Sequence, residues 1–153
     1  MSTVTVRQAA LADLDALVPL FDAYRRFYGQ AGDPSAAREF LLARFNHGES
    51  TIFIAHEGKV AAGFTQLYPS FSSESLARIF VLNDLFVHER SRKKGAASRL
   101  IAAATEFARS LGAVSLTLST AITNTTAQSV YRAAGWKRDE QFYVYHFTVE
   151  GLN

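Results

Sequence analysis

Leu82-Asn83-Asp84-Leu85-Phe86-Val87-His88-Glu89-Arg90-Ser91-Arg92-Lys93-Lys94-Gly95-Ala96-Ala97-Ser98-Arg99-Leu100 decides how the rest of the chain is read. An apolar run suited to a β-strand ends in a basic turn, and an amphipathic helix begins at once. The first N–H groups of a helix have no acceptors inside it, and the helix dipole adds positive potential there, so a strand that delivers a helix start can hold an anion. Gly95, Ala96 and Ala97 let the backbone come close to a ligand, and Arg90, Arg92, Lys93 and Lys94 bring charge to the same place. A merely solvated basic turn has a similar composition. The immediate helix start and the Arg-x-x-Gly-x-Ala spacing favour a phosphate site, read here as one for a pyrophosphate.

Working outward, Ala77–Val87 reads as a long strand, apolar on both faces except at Asn83 and Asp84, and therefore central in a sheet. Residues 96–111 form the following helix, with Leu100, Ala104, Phe107 and Leu111 inward and Gly112 as terminator. Residues 114–119 make the next strand, so 77–119 is a parallel strand–helix–strand crossover with its ligand site at the carboxyl end of the first strand. Upstream, residues 3–7 are strand-like and residues 50–56 and 60–68 form a hairpin around Glu57-Gly58-Lys59. Leu14, Leu17, Val18, Phe21, Tyr24 and Tyr28 recur at helical spacing, with Pro19 predicting a bend or a later start. Asp33 and Pro34 open a second helix as cap and first residue. Downstream, residues 125–134 form a short helix ended by Gly135, and residues 137–139 and 141–149 read as two final strands. The whole is a mixed α/β sheet with helices on both faces.

Composition bounds the function. The chain has 153 residues, enough for one domain with a real core. It has no cysteine, which excludes disulfides, cysteine zinc sites and a cysteine acyl-enzyme. Its net charge of +2 is too small to argue for nucleic-acid binding. No signal peptide is visible, and no run reaches the roughly 18 apolar residues of a membrane span, so a cytoplasmic protein is expected. His47, His56, His88 and His146 are scattered without ligand spacing, so no metal is expected. Neither Gly-x-x-x-x-Gly-Lys-[Ser/Thr] nor Gly-x-Gly-x-x-Gly occurs.

Over nearly its whole length the chain resembles the GCN5-related N-acetyltransferase (GNAT) superfamily. Arg92-Lys93-Lys94-Gly95-Ala96-Ala97 is similar to that family's [Gln/Arg]-x-x-Gly-x-[Gly/Ala] loop for the acyl-CoA pyrophosphate. Asn124-Thr125-Thr126-Ala127-Gln128-Ser129-Val130-Tyr131-Arg132-Ala133-Ala134-Gly135-Trp136 is similar to its Asn-x-x-Ala-x-x-x-Tyr-x-x-x-Gly-[Phe/Trp] segment. The element order, two helices early and two late, also matches. Asn83 to Val87 and Tyr24 to Tyr28 look closest to polyamine, histone and amino-acid acetyltransferases. Diamine relatives tend to carry a glutamate where this chain has Asn83, which departs from polyamine specificity.

The resemblance implies one acyltransferase domain over 1–153. It also implies a mostly antiparallel sheet of six to seven strands, about four helices, and a splay after the central strand. It further implies acetyl-CoA as acyl donor, a primary amine as acceptor, and a homodimer, for which the aromatic C-terminal strands supply a surface. Pantetheine would lie along Leu85, Phe86 and Val87; the pyrophosphate would take N–H groups of Lys93, Lys94, Gly95, Ala96, Ala97 and Ser98, with Arg92 close by; Asn124 would touch the pantetheine.

Tyr131 is the candidate general acid, because a phenol titrating near ~10 can protonate a leaving thiolate whose thiol titrates near ~8.5; a core tyrosine is the alternative. Asp84 is the candidate base for the amine, or else it pairs with Arg78 or Arg132 for structure alone. Tyr24 and Tyr28 form either a core stripe or an acceptor wall with cation-favouring aromatic faces. Tyr143 reads first as core or dimer surface and second as an acceptor contact. A protein lysine or N-terminus is the alternative acceptor, and a non-catalytic acyl-CoA-binding module the alternative class.

Overall fold

The computed structural model describes residues 3–150. Strands β1 (Val4–Gln8), β2 (Thr51–Glu57), β3 (Val60–Ser72), β4 (Ala77–Val87) and β5 (Leu116–Thr117) form one sheet in chain order. The first four are antiparallel neighbours, while β4 and β5 are parallel. Helix α1 (Leu14–Phe27) and helix α2 (Pro34–His47) precede β2; α3 (Ala96–Ser110) is the crossover between β4 and β5; α4 (Thr125–Ala133) follows β5. This is the mixed, mostly antiparallel α/β architecture that the sequence predicts. Among the described residues no helix is long and apolar enough to cross a membrane.

Strand periodicity sorts the core into two layers. Ile52 and Ile54 of β2 join Phe64 and Phe86 against Leu14, Leu17 and Phe21 of α1 and Leu41 of α2. Their neighbours Phe53 and Ala55 join Leu67, Phe80 and Leu82 against Leu100, Ala104 and Ala108 of α3. The sheet is thus apolar on both faces and covered on both. Asp33 caps α2 by accepting from the Ala36 N–H at 3.0 Å, with Pro34 as first helical residue. Helix α1, by contrast, runs through Pro19. Pro19 lies on the exposed side, so the carbonyl it leaves without a donor one turn back is open to water and the expected late start does not occur.

Two irregularities of β4 position the site. Gln66 pairs with Asp84 but Leu67 pairs with Leu82, so Asn83 is an extra residue, a β-bulge. One extra residue reverses the facing of everything beyond it. Phe80 and Leu82 face α3, whereas Phe86 faces α1, and Asp84 turns to the α1 side with it. The second irregularity is a splay: β4 and β5 pair only at Phe80↔Leu116 and Val81↔Thr117, and then part.

The predicted strand count needs correction. The sheet has five strands among the described residues, and the expected strands over residues 137–139 and 141–149 are not formed. The alternating pattern is present, but a strand also needs a neighbouring backbone to bond. Among the described residues, no backbone hydrogen-bond partner is found for 142–149, and 141–149 stay exposed.

Candidate active site

Beyond Val81 the splay opens a cleft of about 210 Å³. Tyr24 and Tyr28 from the end of α1 form one wall, Leu82, Asn83 and Leu85 of β4 the floor, and Ser119, Thr120 and Ala121 after β5 the opposite wall; Tyr131 of α4 closes it. The sequence therefore identifies Tyr24, Tyr28, Leu85 and Tyr131 as residues that the fold brings together. It does not single out Ser119 to Ala121, which carry no charge and no periodic signal.

Asp84 lies just behind this cleft, 4% exposed. The alternative of a structural pairing with Arg78 or Arg132 is not formed among the described residues. Its carboxylate is held instead by neutral donors: Gln66 Nε2 to Oδ2 at 2.6 Å and Asn83 Nδ2 to Oδ1 at 3.0 Å. Burial pushes the Asp84 carboxyl above the ordinary carboxylate range; the bonds from Gln66, Tyr24 and Asn83 oppose that rise without cancelling it. A buried carboxyl with neutral partners and no cation is a poor structural ion pair and a good proton acceptor. Gln66 is the residue that sequence reading missed. Its one signal is an amide inside the apolar run of β3, and its Oε1 is itself buried without a partner.

Tyr24 is both packed in the core and exposed to the cleft. Its ring sits at 5.8 Å from Phe64 and 6.3 Å from Phe86, edge-on in the core, while its hydroxyl reaches the cleft and donates to the Asn83 carbonyl at 3.4 Å. Burial, followed by the charge of Asp84, holds the Tyr24 hydroxyl far above its usual range and pushes that of Tyr68 up to about 12. Tyr28 is half exposed and packs edge-on to Tyr24 with ring centroids 5.1 Å apart. Tyr131 is half-buried, its ring 6.0 Å from Trp136, and burial raises its hydroxyl pKa, so it stays protonated through neutral pH.

The basic turn lies at the far end of β4. Lys93 (φ +65°) and Gly95 (φ +82°) are both left-handed, so the backbone N–H groups around Lys94 curl into a concavity of the kind that holds anions. Helix α3 starts on Gly95 with no side-chain cap, and among the described residues nothing accepts from the N–H groups of Ala96, Ala97 and Ser98. The side chains point elsewhere. Arg92 Nε donates to the Val87 carbonyl at 3.0 Å, its guanidinium over the rings of Phe27 and Phe86; Arg90 Nη2 donates to the Ala61 carbonyl at 3.1 Å; Lys94 Nζ pairs with Glu57. Thus Arg90, Arg92 and Lys94 brace the turn, and the N–H groups at the start of α3 remain without acceptors among the described residues.

Two expected contacts fall outside the cleft. Asn124 Oδ1 accepts from the Ala127 N–H at 3.2 Å as the cap of α4, so its oxygen fixes the helix that carries Tyr131. Tyr143 is 91% exposed on the C-terminal arm and lines nothing in its own chain. Among the described residues no His, Asp and Glu gather into a metal-binding set.

Residues 17–136 match the model of the acetyltransferase (GNAT) family. An uncharacterized N-acetyltransferase of Bacillus subtilis strain 168 is 47% identical over 146 residues, spanning 95% of this chain and 98% of its own. The crystal structure of "a probable acetyltransferase" superposes with a TM-score of 0.91 at 40% identity, over 96% of this chain and 99% of that one. An aminoglycoside N-acetyltransferase solved in complex with CoA shares the fold, with a TM-score of 0.79 at 23% identity over 96% of each chain.

Proposed function

The chain belongs to the GNAT family of acetyltransferases and is an acetyltransferase enzyme; from that premise we propose that it transfers acetyl from acetyl-CoA to a small primary amine, a polyamine or an amino acid, by direct attack in a ternary complex. We read residues 1–153 as one acyltransferase domain acting in the cytoplasm as a homodimer, with no metal and no nucleic-acid or membrane partner. The observation that carries the proposal is a continuous track. It runs from the unpartnered N–H groups at the start of α3, along the edge of β4 that β5 leaves unpaired beyond Val81, to the tyrosine-walled cleft.

The residues suit the donor. A diphosphate is matched by the concavity at Lys93 to Gly95 and by the N–H groups of Ala96, Ala97 and Ser98. An amide-bearing pantetheine arm is matched by the edge of β4 that β5 leaves unpaired, at Leu85 and at the Val87 N–H, and Thr120 Oγ1, buried without a partner on the opposite wall, offers one more polar contact. Arg92 and Lys94 act through the shape of the turn, and Asn124 acts through the aim of Tyr131.

The amine arrives as an ammonium, since alkyl amines titrate near ~10. The faces of Tyr24 and Tyr28 favour a cation. A cleft of about 210 Å³ suits a small molecule. The ammonium gives one proton to Asp84, directly or through a water, beside the Tyr24 hydroxyl that lines the cleft. The freed amine nitrogen attacks the thioester carbon while the backbone N–H of Val87, on the edge of β4 that β5 leaves unpaired, polarises the carbonyl. As the carbon–sulfur bond breaks, the Tyr131 hydroxyl protonates the sulfur, and the second amine proton restores Tyr131. Free CoA thiol and the acetylated amine leave.

Mass spectrometry of amines incubated with acetyl-CoA and the protein tests the acceptor class. An acetylated polyamine or amino acid is the expected product. Acetylation confined to lysine peptides or protein N-termini would overturn the small-amine reading and favour a protein acceptor.

A further inference from the structure

Helix α1 outruns the core that it packs on. Its buried residues end at Asp22; Ala23, Tyr24 and Arg25 are partly covered, and Arg26, Phe27 and Tyr28 are exposed. Phe27 is 57% exposed and Tyr28 49%. A helix end with so little buried beneath it opens more easily than the rest of the helix. Yet Tyr28 walls the cleft, and a wall must stand still to orient what binds against it.

The residue that meets this end of α1 comes from the basic turn. Arg92 Nε donates to the Val87 carbonyl at 3.0 Å. That bond leaves the guanidinium over two rings, 5.8 Å from the centroid of Phe27 and 5.9 Å from that of Phe86. The two rings lie 6.4 Å apart, one on the last turn of α1 and the other near the end of β4. The contacts then run on into the cleft. Phe27 packs edge-on to Tyr28 at 5.2 Å, Tyr28 to Tyr24 at 5.1 Å, and Tyr24 to Phe86 at 6.3 Å. Arg92, Phe27, Tyr28, Tyr24 and Phe86 thus close a ring of contacts. A planar guanidinium suits the place, because its face can cover an aromatic ring while its edge still donates to a carbonyl.

We propose that Arg92 is a positioning residue for the acceptor wall: it holds Phe27, and through Phe27 it holds Tyr28. This rests on the reading of Tyr24 and Tyr28 as that wall. It gives the Arg92 side chain a task apart from the diphosphate, although Arg92 stands in the donor's own turn. Its loss costs amine recognition and spares donor recognition.

Arg92→Gln tests this, because Gln keeps an N–H donor the same number of bonds along the side chain and removes the cation and its plane. Phe27→Leu removes the ring. The first readout is amide exchange without ligands. The N–H groups of Tyr28, Gly29 and Gln30 close the last turn on the carbonyls of Tyr24, Arg25 and Arg26, so they exchange when that turn opens. In R92Q their exchange is expected to quicken about threefold to tenfold, the effect of losing one or two cation–ring contacts, while the amides of α3 keep their rates. The second readout is kinetic. The KM for the amine is expected to rise by a similar factor in R92Q and in F27L, and no further in the double variant, because the two residues act through one contact. The acetyl-CoA Kd by calorimetry is expected to stay within about twofold of the parent.

Unchanged exchange at Tyr28 to Gln30 in R92Q overturns the proposal, whether or not any small amine is a substrate. An acetyl-CoA Kd that rises as much as the amine KM also overturns it, and assigns the side chain to the donor. Effects that multiply in the double variant overturn the route through Phe27. Faster exchange in a protein that acetylates no small amine supports the hold on Tyr28 and overturns the acceptor reading alone.

Discussion

Gln66 and Asp84 face each other across β3 and β4, buried, with the amide Nε2 donating to the carboxylate at 2.6 Å. They meet because the bulge at Asn83 turns Asp84 toward α1. The pairing keeps a carboxyl out of water without supplying a counter-charge, so its pKa rises.

Asp84→Asn removes the base and the cost of burying it. A carboxyl whose folded pKa lies above its unfolded value loses stability as pH rises from the unfolded pKa, near ~3.9, through the folded one. The Asn variant has no such loss. Its melting temperature should therefore exceed that of the parent at pH 7.5 and converge with it near pH 4, while turnover falls about 10²- to 10⁴-fold. Thermal melts across that pH range check the sign; a variant less stable at pH 7.5 than at pH 4, relative to the parent, would count against the raised pKa.

Tyr131→Phe should lower turnover by about 10²- to 10⁴-fold with little change in acetyl-CoA affinity, since the ring stays and only the proton donor goes. The raised pKa of the hydroxyl also places the alkaline limb of the rate profile above the ordinary tyrosine range near ~10. Steady-state kinetics with calorimetry on the same variant separates the two effects. Unchanged turnover removes Tyr131 from the acid role.

Gly63→Ala tests how β4 is seated. A Cβ there would stand 2.5 Å from the Phe86 carbonyl oxygen, which is backbone and cannot swing aside. The end of β4 must move, at about 1–3 kcal/mol. Weaker CoA binding is expected alongside the lower melting temperature, because Phe86 and Val87 lie on the pantetheine track.

Gly95 separates backbone strain from charge. Its Cβ direction is open, but φ is +82°, so Gly95→Ala costs about 1–2 kcal/mol through conformation alone. Gly95→Asp adds a carboxylate against the diphosphate and should weaken acetyl-CoA binding well beyond the Ala variant. Equal affinities by calorimetry would remove the turn as the diphosphate site.

The sequence makes the helix start at Gly95 legible because its causes are local: a strand run, a glycine and small residues in order. The crossover from β4 to β5 is legible for the same reason, whereas Tyr131 is singled out only by the family-like segment that carries it. The Gln66–Asp84 pair is not legible, since it depends on cross-strand register that one bulged residue resets. The ends of Arg92 and Lys94 are equally hidden: the sequence shows two cations, but the Val87 carbonyl and Glu57 that hold them are met only in the fold. The final strands have the right alternation in residues 141–149, yet alternation says which faces are apolar and not whether a neighbouring backbone is there to pair.

The most direct test of the central claim is thiol release from acetyl-CoA in the presence of polyamines and amino acids, read with a thiol-reactive dye. With no cysteine in the chain, released CoA is the only thiol present. Amine-dependent release that is lost in Tyr131→Phe is the predicted result. Confirmed acetyl-CoA binding with no release in the presence of any small amine would contradict it.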